Sequence, residues 1–456
     1  MENFRKELQN WLKQGNFIGQ ESSTFYEKII FYENQCSPYL KPQVLLVEEK
    51  PEQFLAAFLA ILLNQGSVFL GNPHWQQQEW QQVATMINPD LIWGQVPQVF
   101  SALTKSHSSP CSDAYIFIPT GGTSGQIKFV AHTWQTLTAS VQGFQQYFNV
   151  KNINSFCVLP LYHVSGLMQF LRSFITQGNF HFYSYAQLKL TPPSEDYRDF
   201  FLSLVPTQLQ FLLDHFPQWL APFKTIFLGG APAWPTLLEQ ARNTKINLAP
   251  TYGMSETAAQ IATLKARDFR QGRSGVGQIL PHVKVSIMDE QGLVLDCHQV
   301  GKINIQSSSL FLGYYPKLHC PPSFSSGDLG YVNEEGYLWI MGRQNQRIIT
   351  GGEKVFPAEV EAAILASKQV KDVVVLGLPD RYWGEIVVAV YVPHLTECSG
   401  SSLETILKTK LSPYKCPKAW FARSEIPRSP SGKVNYAQLQ KQLEEDRKES
   451  QGDRCQ

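Results

Sequence analysis

The chain has 456 residues, of which 43% are hydrophobic, 17% charged and 12% aromatic. At roughly 100–200 residues per domain, this length predicts about two to four domains, and the apolar content excludes disorder over most of the chain. The 39 Lys and Arg nearly balance the 38 Asp and Glu, whereas binding to a nucleic-acid backbone needs a basic surplus. We therefore expect no nucleic-acid partner.

Neither the apolar runs nor the cysteines indicate a membrane or a secreted protein. The longest strongly apolar run, residues 54–63, is shorter than the about 20 residues that a spanning helix needs. The first residues contain no apolar signal core. The eight Cys are scattered without a C-x-x-C pair, so neither a zinc site nor a dithiol redox motif is predicted. Reduced thiols in a cytoplasmic enzyme are our interpretation.

The first part of the chain alternates short apolar strands with helices. Apolar spacing over the first twelve residues predicts a short amphipathic helix that docks on the core. Strands are predicted at 43–47 and 67–70, on either side of a helix at 52–64. The alternation recurs in strands at 154–159, 224–227 and 246–249. This order is typical of a parallel sheet with crossover helices.

The pattern changes after about residue 275. Tight turns such as the one at 289–292 connect short strands, which predicts an antiparallel region appended to the α/β part. These strands are expected at 283–288, 301–306, 330–332 and 337–341. A third unit follows Arg343 and mixes both element types. Its predicted helices are 357–366, 403–410 and one from 436, and its strands are 370–378 and 386–391. We expect the last 16 residues to be frayed.

The most informative stretch is residues 118–128. Six consecutive positions in it are Gly, Ser or Thr, so the loop bends freely and lets main-chain N–H groups approach an anion. They are Thr120, Gly121, Gly122, Thr123, Ser124 and Gly125. Lys128 adds a positive charge, and together these groups predict a polyphosphate cradle. The spacing fits neither a Walker A loop nor a dinucleotide fingerprint. A flexible surface loop is the alternative.

A second polar stretch is Thr-Tyr-Gly-Met-Ser-Glu-Thr at 251–257. Ser255 can donate to a phosphate oxygen, Glu256 is a hard oxygen ligand that suits Mg²⁺, and Tyr252 offers a flat face for a base. A solvated Glu after a turn is the plain alternative. The earlier Gly-Gly-Ala-Pro at 229–232 directly follows a strand and would let a ring lie against the backbone.

Four further side chains are candidates for binding or catalysis. Asp328 can accept both hydroxyls of a ribose, and Arg343 can reinforce that contact or meet a phosphate. Lys433 follows five turn-prone residues that hold one cation away from its domain. His163 follows a strand end, where α/β pockets usually open. Each has a plainer alternative. Asp328 could be a structural residue of a turn, Arg343 and Lys433 could be solvated surface cations, and His163 could be a hydrogen-bonded residue of the core.

Taken in order, these segments resemble the acyl- and aryl-CoA synthetases of the adenylate-forming superfamily. The matching segments run over residues 119–433 and so cover most of the chain. The resemblance implies a large N-terminal α/β domain at 1–344, with parallel-rich sheets, helices and an antiparallel β region. It also implies a small mobile α+β lid at 345–456, hinged near Asn345. The cofactors and co-substrates it implies are ATP, Mg²⁺ and coenzyme A.

The resemblance also implies a role for each stretch. The loop at 120–128 resembles the one that holds the β- and γ-phosphates of ATP, Glu256 the Mg²⁺ ligand, and Lys433 the catalytic lysine that bridges carboxylate and phosphate oxygens. The other implied nucleotide contacts are Gly229, Gly230, Ala231 and Tyr252 at the adenine, Gly253 and Met254 in the same segment, Ser255 at the α-phosphate, and Asp328 with Arg343 at the ribose.

For the remaining substrates, the resemblance implies a gate and a tunnel. His163 resembles the gate beside the acyl pocket, with Thr207 and Gln208 as further pocket candidates. After the lid turns, Gly351 and Gly352 are expected to help form the tunnel for the CoA thiol. Two departures from the family are visible. Gly122 stands where a loop hydroxyl is common, and Asn345 stands where the hinge usually has an Asp.

Three stretches, at 132–136, 159–166 and 203–209, resemble the subfamily that acts on 2-succinylbenzoate in menaquinone and phylloquinone synthesis. The implied reaction joins this acid to CoA through an acyl-adenylate and releases AMP and pyrophosphate. Another aryl- or acyl-CoA ligase is an alternative, and so is a stand-alone adenylation enzyme that loads a carrier protein. The choice between the two quinones and the oligomeric state stay open.

Overall fold

A computed structural model describes residues 2–100, 114–121, 126–351, 353–394, 398–428 and 434–452. Its α-helices are α1 (Glu2–Lys13), α2 (Ser22–Cys36), α3 (Pro51–Leu63), α4 (Gln77–Met86), α5 (Trp134–Phe148), α6 (Val164–Ile175), α7 (Tyr185–Leu188), α8 (Pro206–His215), α9 (Pro217–Leu220), α10 (Pro235–Asn243), α11 (Ala266–Arg270), α12 (Pro357–Leu365), α13 (Gly400–Leu407) and α14 (Tyr436–Gly452). The tail that the sequence predicted as frayed is therefore helical as far as Gly452.

The strands of the first two-thirds of the chain are β1 (Phe17–Ile18), β2 (Gln43–Val47), β3 (Ser67–Leu70), β4 (Leu91–Gly94), β5 (Ile116–Gly121), β6 (Ile127–His132), β7 (Asn154–Cys157), β8 (Phe180–Phe182), β9 (Phe200–Leu204), β10 (Thr225–Leu228), β11 (Leu248–Met254), β12 (Ala259–Thr263), β13 (Gly277–Ile279) and β14 (Val283–Met288). The remaining strands are β15 (Gly301–Ser307), β16 (Gly313–Tyr314), β17 (Lys317–Leu318), β18 (Phe324–Val332), β19 (Tyr337–Arg343), β20 (Ile348–Thr350), β21 (Glu353–Val355), β22 (Val370–Asp380), β23 (Gly384–Pro393) and β24 (Ala419–Ala422).

The largest sheet joins the parallel and the antiparallel parts of the chain. Its order is β1-β8-β7-β9-β10-β11-β12-β13-β19-β18-β15-β14. Neighbours from β1 to β11 are parallel, and every pair from β11–β12 onward is antiparallel. The α/β alternation and the antiparallel region are confirmed, but the second continues the sheet of the first and is not a separate sheet.

The second sheet contains the strands on either side of the Gly-, Ser- and Thr-rich stretch, β5 and β6. Its order is β17-β16-β6-β5-β3-β2-β4, with β2, β3, β4 and β5 parallel. Strands β5 and β6 are antiparallel, and Thr120 pairs with Lys128, one position before the last described pair, Gly121 and Ile127. A short strand, β16, pairs with β6 through Tyr314 and Val130. Tyr314 is thereby brought close to Lys128, which is on the same strand as Val130.

Helices α3, α5 and α6 pack between the two sheets in one apolar core. This core contains Val44 and Val68 from the second sheet and Phe201 and Phe227 from the first. Helix α1 docks on it as predicted, and Trp11 is fully buried with its Nε1 donating to a backbone oxygen at 2.8 Å. Within the described residues, no helix combines the length and the apolar character needed to cross a membrane.

The third sheet is built from the chain after residue 347. Its order is β21-β20-β23-β22, and β24 pairs with β23. Val360 and Leu403 from α12 and α13 belong to one apolar cluster on it, and Leu439 and Leu443 from α14 belong to another. The α/β fold class with a small α+β unit is therefore confirmed. The division at residues 344/345 stays a prediction.

Candidate active site

Asp328 lies buried in β18 and is contacted from two sides. The hydroxyl of Tyr252 donates to its Oδ2 at 2.5 Å, and Arg343 Nε lies 3.1 Å from its Oδ1. The register of β18 and β19 places Asp328 opposite Arg343, which explains the ion pair. The Asp328 side chain is 7% exposed and that of Arg343 is 48% exposed. The strand pairing therefore fixes a carboxylate at this point of the large sheet.

Tyr252 is part of this carboxylate site and not only a flat ring. Burial, followed by the nearby charge of Asp328, raises the pKa of the Tyr252 hydroxyl well above its ordinary value. The hydroxyl therefore stays protonated and acts as a donor to Asp328 at neutral pH. The sequence predicted the ring face of Tyr252 but gave no signal for this bond, because the two residues lie 76 positions apart.

Glu256 lies in a short 3₁₀ turn, Ser255–Thr257, between β11 and β12. Its Oε1 accepts a hydrogen bond from the Tyr314 hydroxyl at 2.7 Å. The ammonium group of Lys128 lies 5.1 Å from the centre of the Tyr314 ring. Tyr314 therefore connects the predicted phosphate-binding Lys128 to the predicted metal ligand Glu256. Sequence reasoning missed Tyr314, since nothing in its local pattern distinguishes it from an ordinary strand tyrosine.

His132 holds the turn that carries Ser255 and Glu256. Its ring is fully buried, with Nε2 2.7 Å from the Ser255 carbonyl oxygen and Nδ1 3.0 Å from Thr136 Oγ1. A carbonyl oxygen only accepts, so Nε2 carries the proton of the neutral ring. Burial lowers the pKa of His132 from its ordinary 6.5 to about 4. The sequence contained this residue in a family-like stretch but assigned it no role.

We expect the protein to lose stability in acid partly through His132. The folded pKa of about 4 lies below the unfolded 6.5, so the stabilisation is present above pH 6.5 and is lost as pH falls toward 4. The full loss is roughly 3 kcal/mol. Urea unfolding between pH 7.5 and pH 4.5 should show a shallower pH slope for His132→Gln than for the unsubstituted protein. His74→Gln, at an exposed position, is the control and should leave the slope unchanged.

The predicted acyl-pocket residues have different environments. The Gln208 side chain accepts a hydrogen bond from the Val205 backbone N–H at 3.1 Å, so it caps the start of α8. Thr207 is exposed. His163 is half-buried directly before α6, with its ring 4.7 Å from that of Tyr162. Gln208 therefore stabilises the start of α8, and the pocket roles of His163, Thr207 and Gln208 stay predictions.

Two predicted glycines are required by packing. A Cβ on Gly253 would lie 2.0 Å from the Ala259 carbonyl oxygen on the neighbouring strand. Gly351 has φ +58° and its Cβ would lie 2.8 Å from the Trp383 ring. The adenine candidates Gly229, Gly230 and Ala231 follow β10 as expected, next to β11. Met254 ends β11 and is half-buried.

Several predicted residues lie outside the described residues: Gly122, Thr123, Ser124, Gly125, Gly352, Gly432 and Lys433. The chain on either side of the last two is well anchored. Arg428 and Val434 pair as an isolated bridge, and the Arg428 guanidinium binds Asp372 at 2.8 Å. Asn345 follows β19 within the 3₁₀ turn Gln344–Gln346. In the part of the chain that the structure describes, no group of three or more His, Cys, Asp or Glu is placed to hold a metal.

Comparison with known proteins identifies the class of enzyme. The model of the AMP-binding enzyme family matches residues 41–315, and that of the AMP-binding enzyme C-terminal domain matches residues 359–433. The chain belongs to the AMP-binding enzyme family, which confirms the family predicted from the sequence.

Two relatives that are similar in sequence carry the same name. The chain is 32% identical to a 2-succinylbenzoate–CoA ligase of Enterococcus faecalis over 69% of this chain and 67% of the relative. It is 32% identical to a ligase of the same name from Listeria monocytogenes over 70% and 68%. A solved o-succinylbenzoate CoA synthetase of Bacillus subtilis, in complex with an acyl-adenylate intermediate, superposes with a TM-score of 0.81 at 23% identity. That match covers 94% of this chain and 97% of the other.

Proposed function

We propose that the chain joins 2-succinylbenzoate to coenzyme A in menaquinone or phylloquinone synthesis, using ATP and releasing AMP and pyrophosphate. The observation that carries the proposal is the 32% identity to curated ligases of this name over two-thirds of both chains. The geometry supports it, because Tyr252, Asp328 and Arg343 form one polar group and Glu256 lies a short distance along the chain from Tyr252. A cytoplasmic location stays a prediction.

A carboxylate is a poor electrophile, so the reaction first attaches AMP to it as a good leaving group. In the first step a carboxylate oxygen attacks the α-phosphorus of ATP, the α–β phosphoanhydride bond breaks, and pyrophosphate leaves. In the second step the CoA thiolate attacks the acyl carbon, and AMP leaves with the bonding electron pair. Asp328 is suited to accept both ribose hydroxyls, because its carboxylate is fixed by Tyr252 and Arg343.

The residues around Glu256 fit a magnesium ion that arrives with the triphosphate. Mg²⁺ prefers oxygen ligands and is commonly held by one or two carboxylates together with substrate phosphates. Glu256 is half-exposed, and among the described residues only the Tyr314 hydroxyl bonds its carboxylate. When bound, the ion would offset negative charge on the phosphates. Lys128, exposed on β6, supplies a further positive charge beside the loop.

We further propose that residues 345–456 form a lid that turns on a hinge at Asn345. The AMP-binding C-terminal family match at 359–433 lies wholly within this range. Lys433 would contact the carboxylate and the α-phosphate in the first conformation. In the second, Gly351 and Gly352 would line the path of the CoA thiol. A closed lid also keeps water from the adenylate, which is otherwise hydrolysed.

The test is pyrophosphate release with Mg·ATP and 2-succinylbenzoate, measured with and without CoA. We expect release that depends on this acid and a CoA thioester of the acid by mass spectrometry. A panel of benzoates and fatty acids is the control. Release with another acid alone would contradict the substrate, and thioester formed on a carrier-protein arm but not on free CoA would favour the adenylation-enzyme alternative.

A further inference from the structure

A short segment of the chain, residues 309–315, holds the turn that carries Glu256. The Ser309 hydroxyl donates to the Thr257 backbone oxygen at 3.0 Å, and the Phe311 backbone N–H donates to the backbone oxygen of Glu256 at 2.9 Å. Ser309 and Phe311 are both buried. Because both bonds end on backbone oxygens, they fix the backbone of the turn and do not involve the Glu256 side chain. We call residues 309–315 the strap.

The strap is also anchored to β6, the strand that carries Lys128. The backbone N–H groups of Leu312 and Tyr315 donate to the backbone oxygens of Ala131 and Phe129, at 2.9 Å each. Strand β6 belongs to the second sheet, whereas the turn on the other side of the strap lies between β11 and β12 of the largest sheet. The strap therefore connects the two sheets at the point where the candidate nucleotide site takes residues from both.

Tyr314 is the strap residue whose side chain contacts both halves of this site. Its hydroxyl donates to Glu256 Oε1 at 2.7 Å, and its ring centre lies 5.1 Å from the ammonium nitrogen of Lys128. The Phe311 ring packs against the Tyr314 ring with centres 5.0 Å apart. Burial, followed by the charge of Glu256, raises the pKa of the Tyr314 hydroxyl well above its ordinary value. The hydroxyl therefore stays protonated and donates to the carboxylate at neutral pH.

The orientation of the Glu256 carboxylate depends on this one bond. Among the described residues, only the Tyr314 hydroxyl bonds the carboxylate, through Oε1. The 2.7 Å separation is typical of a hydrogen bond to a charged oxygen, which is stronger than one between neutral groups. A carboxylate has two oxygens that accept, so Oε2 stays available to a cation. The bond thus selects one orientation of a half-exposed side chain and leaves one oxygen for a ligand.

We propose that Tyr314 is a positioning residue that holds the Glu256 carboxylate for the magnesium ion of Mg·ATP. This inference rests on the proposed function, which assigns Glu256 to that ion. Groups that hydrogen-bond a metal ligand orient it and commonly set the affinity for the metal. Tyr314 acts through Glu256 and is not itself a ligand, because its hydroxyl is already engaged as a donor. The strap fixes the backbone of the turn, and Tyr314 fixes the side chain.

The test uses Tyr314→Phe, which removes the hydroxyl and keeps the ring that Lys128 contacts. The Kd of ATP is measured by isothermal titration calorimetry without acyl substrate, once with Mg²⁺ and once with EDTA. Loss of such a partner typically weakens metal binding about 10–100-fold, so we expect the Kd with Mg²⁺ to rise at least about tenfold and the Kd in EDTA to change less than about twofold. The KM of Mg·ATP should rise with the first value, and the KM of the acid should not.

The matched control is Tyr337→Phe. The Tyr337 hydroxyl donates to Asp268 Oδ2 at 3.0 Å, so this tyrosine–carboxylate pair has similar geometry outside the candidate site. The control should leave the Kd of ATP unchanged with and without Mg²⁺. Equal weakening of ATP with Mg²⁺ and in EDTA by Tyr314→Phe would show a general structural role and overturn the inference, and so would an unchanged Kd with Mg²⁺.

A double-mutant cycle with Glu256→Gln decides whether Tyr314 acts through Glu256. If it does, adding Tyr314→Phe to Glu256→Gln should weaken Mg·ATP no further, because interacting residues are not additive. Full additivity of the two losses would contradict the inference. The proposed function fails separately, if the unsubstituted protein releases no pyrophosphate with 2-succinylbenzoate. The ATP titrations need no acyl substrate and still decide the role of Tyr314 in that case.

Discussion

Lys433→Ala should lower the rate of adenylate formation by about 10²–10³-fold, because one charge-stabilising donor in a dry site typically contributes that much. The first half-reaction brings a carboxylate against a phosphate, and the ammonium of Lys433 would offset both charges. The second half-reaction joins a thiolate to an adenylate already formed. Thioester formation from supplied acyl-adenylate and CoA should therefore stay within about threefold of the unsubstituted rate.

The two half-reactions are measured separately, by pyrophosphate release and by CoA thioester formation. Lys441→Ala is the control, because Lys441 is exposed on α14 in the same unit and should affect neither step. Equal loss in both half-reactions would argue against a lid that uses different faces in the two steps.

The fold was predictable from sequence where the apolar pattern is long or sharply bounded. Strands β2, β3 and β14 begin and end at the predicted residues, and α3 begins one residue early, at Pro51. Proline has a fixed φ and no donor, so it fits the first turn of a helix. The two-residue strand β16 was not predictable, because it pairs with β6 through Tyr314 alone and so has no periodicity of its own.

The candidate site was predictable only where a residue type suggests its own chemistry. Asp328 and Glu256 were singled out because a carboxylate can accept both hydroxyls of a ribose or act as a hard oxygen ligand for Mg²⁺. His132 and Tyr314 were not, since each acquires its meaning from a partner distant in sequence. Those partners lie 123 and 58 positions away. Strand pairing and helix packing create these contacts, and neither is visible in a local motif.

Asp328→Asn is expected to raise the KM of ATP about 100-fold. Hydrogen bonds to a charged group contribute about 1.5–3 kcal/mol each, and the carboxylate is suited to accept two from the ribose. The fold should lose only about 1 kcal/mol or less, because an amide oxygen still accepts from the Tyr252 hydroxyl. Arg343 is half-exposed, so water can solvate its released guanidinium. ATP titration of pyrophosphate release and thermal unfolding measure the two effects.

The chain contains a matched control for this substitution. Asp268 accepts a hydrogen bond from the Tyr337 hydroxyl at 3.0 Å, so it forms a second tyrosine–carboxylate pair outside the candidate site. Asp268→Asn should change stability by a similar amount and leave the KM of ATP unaltered. If Asp328→Asn and Asp268→Asn shift only the melting temperature, Asp328 is a structural partner of Tyr252 and the ribose site lies elsewhere. A KM effect confined to Asp328 would instead assign the nucleotide to the strand ends that carry Tyr252 and Arg343.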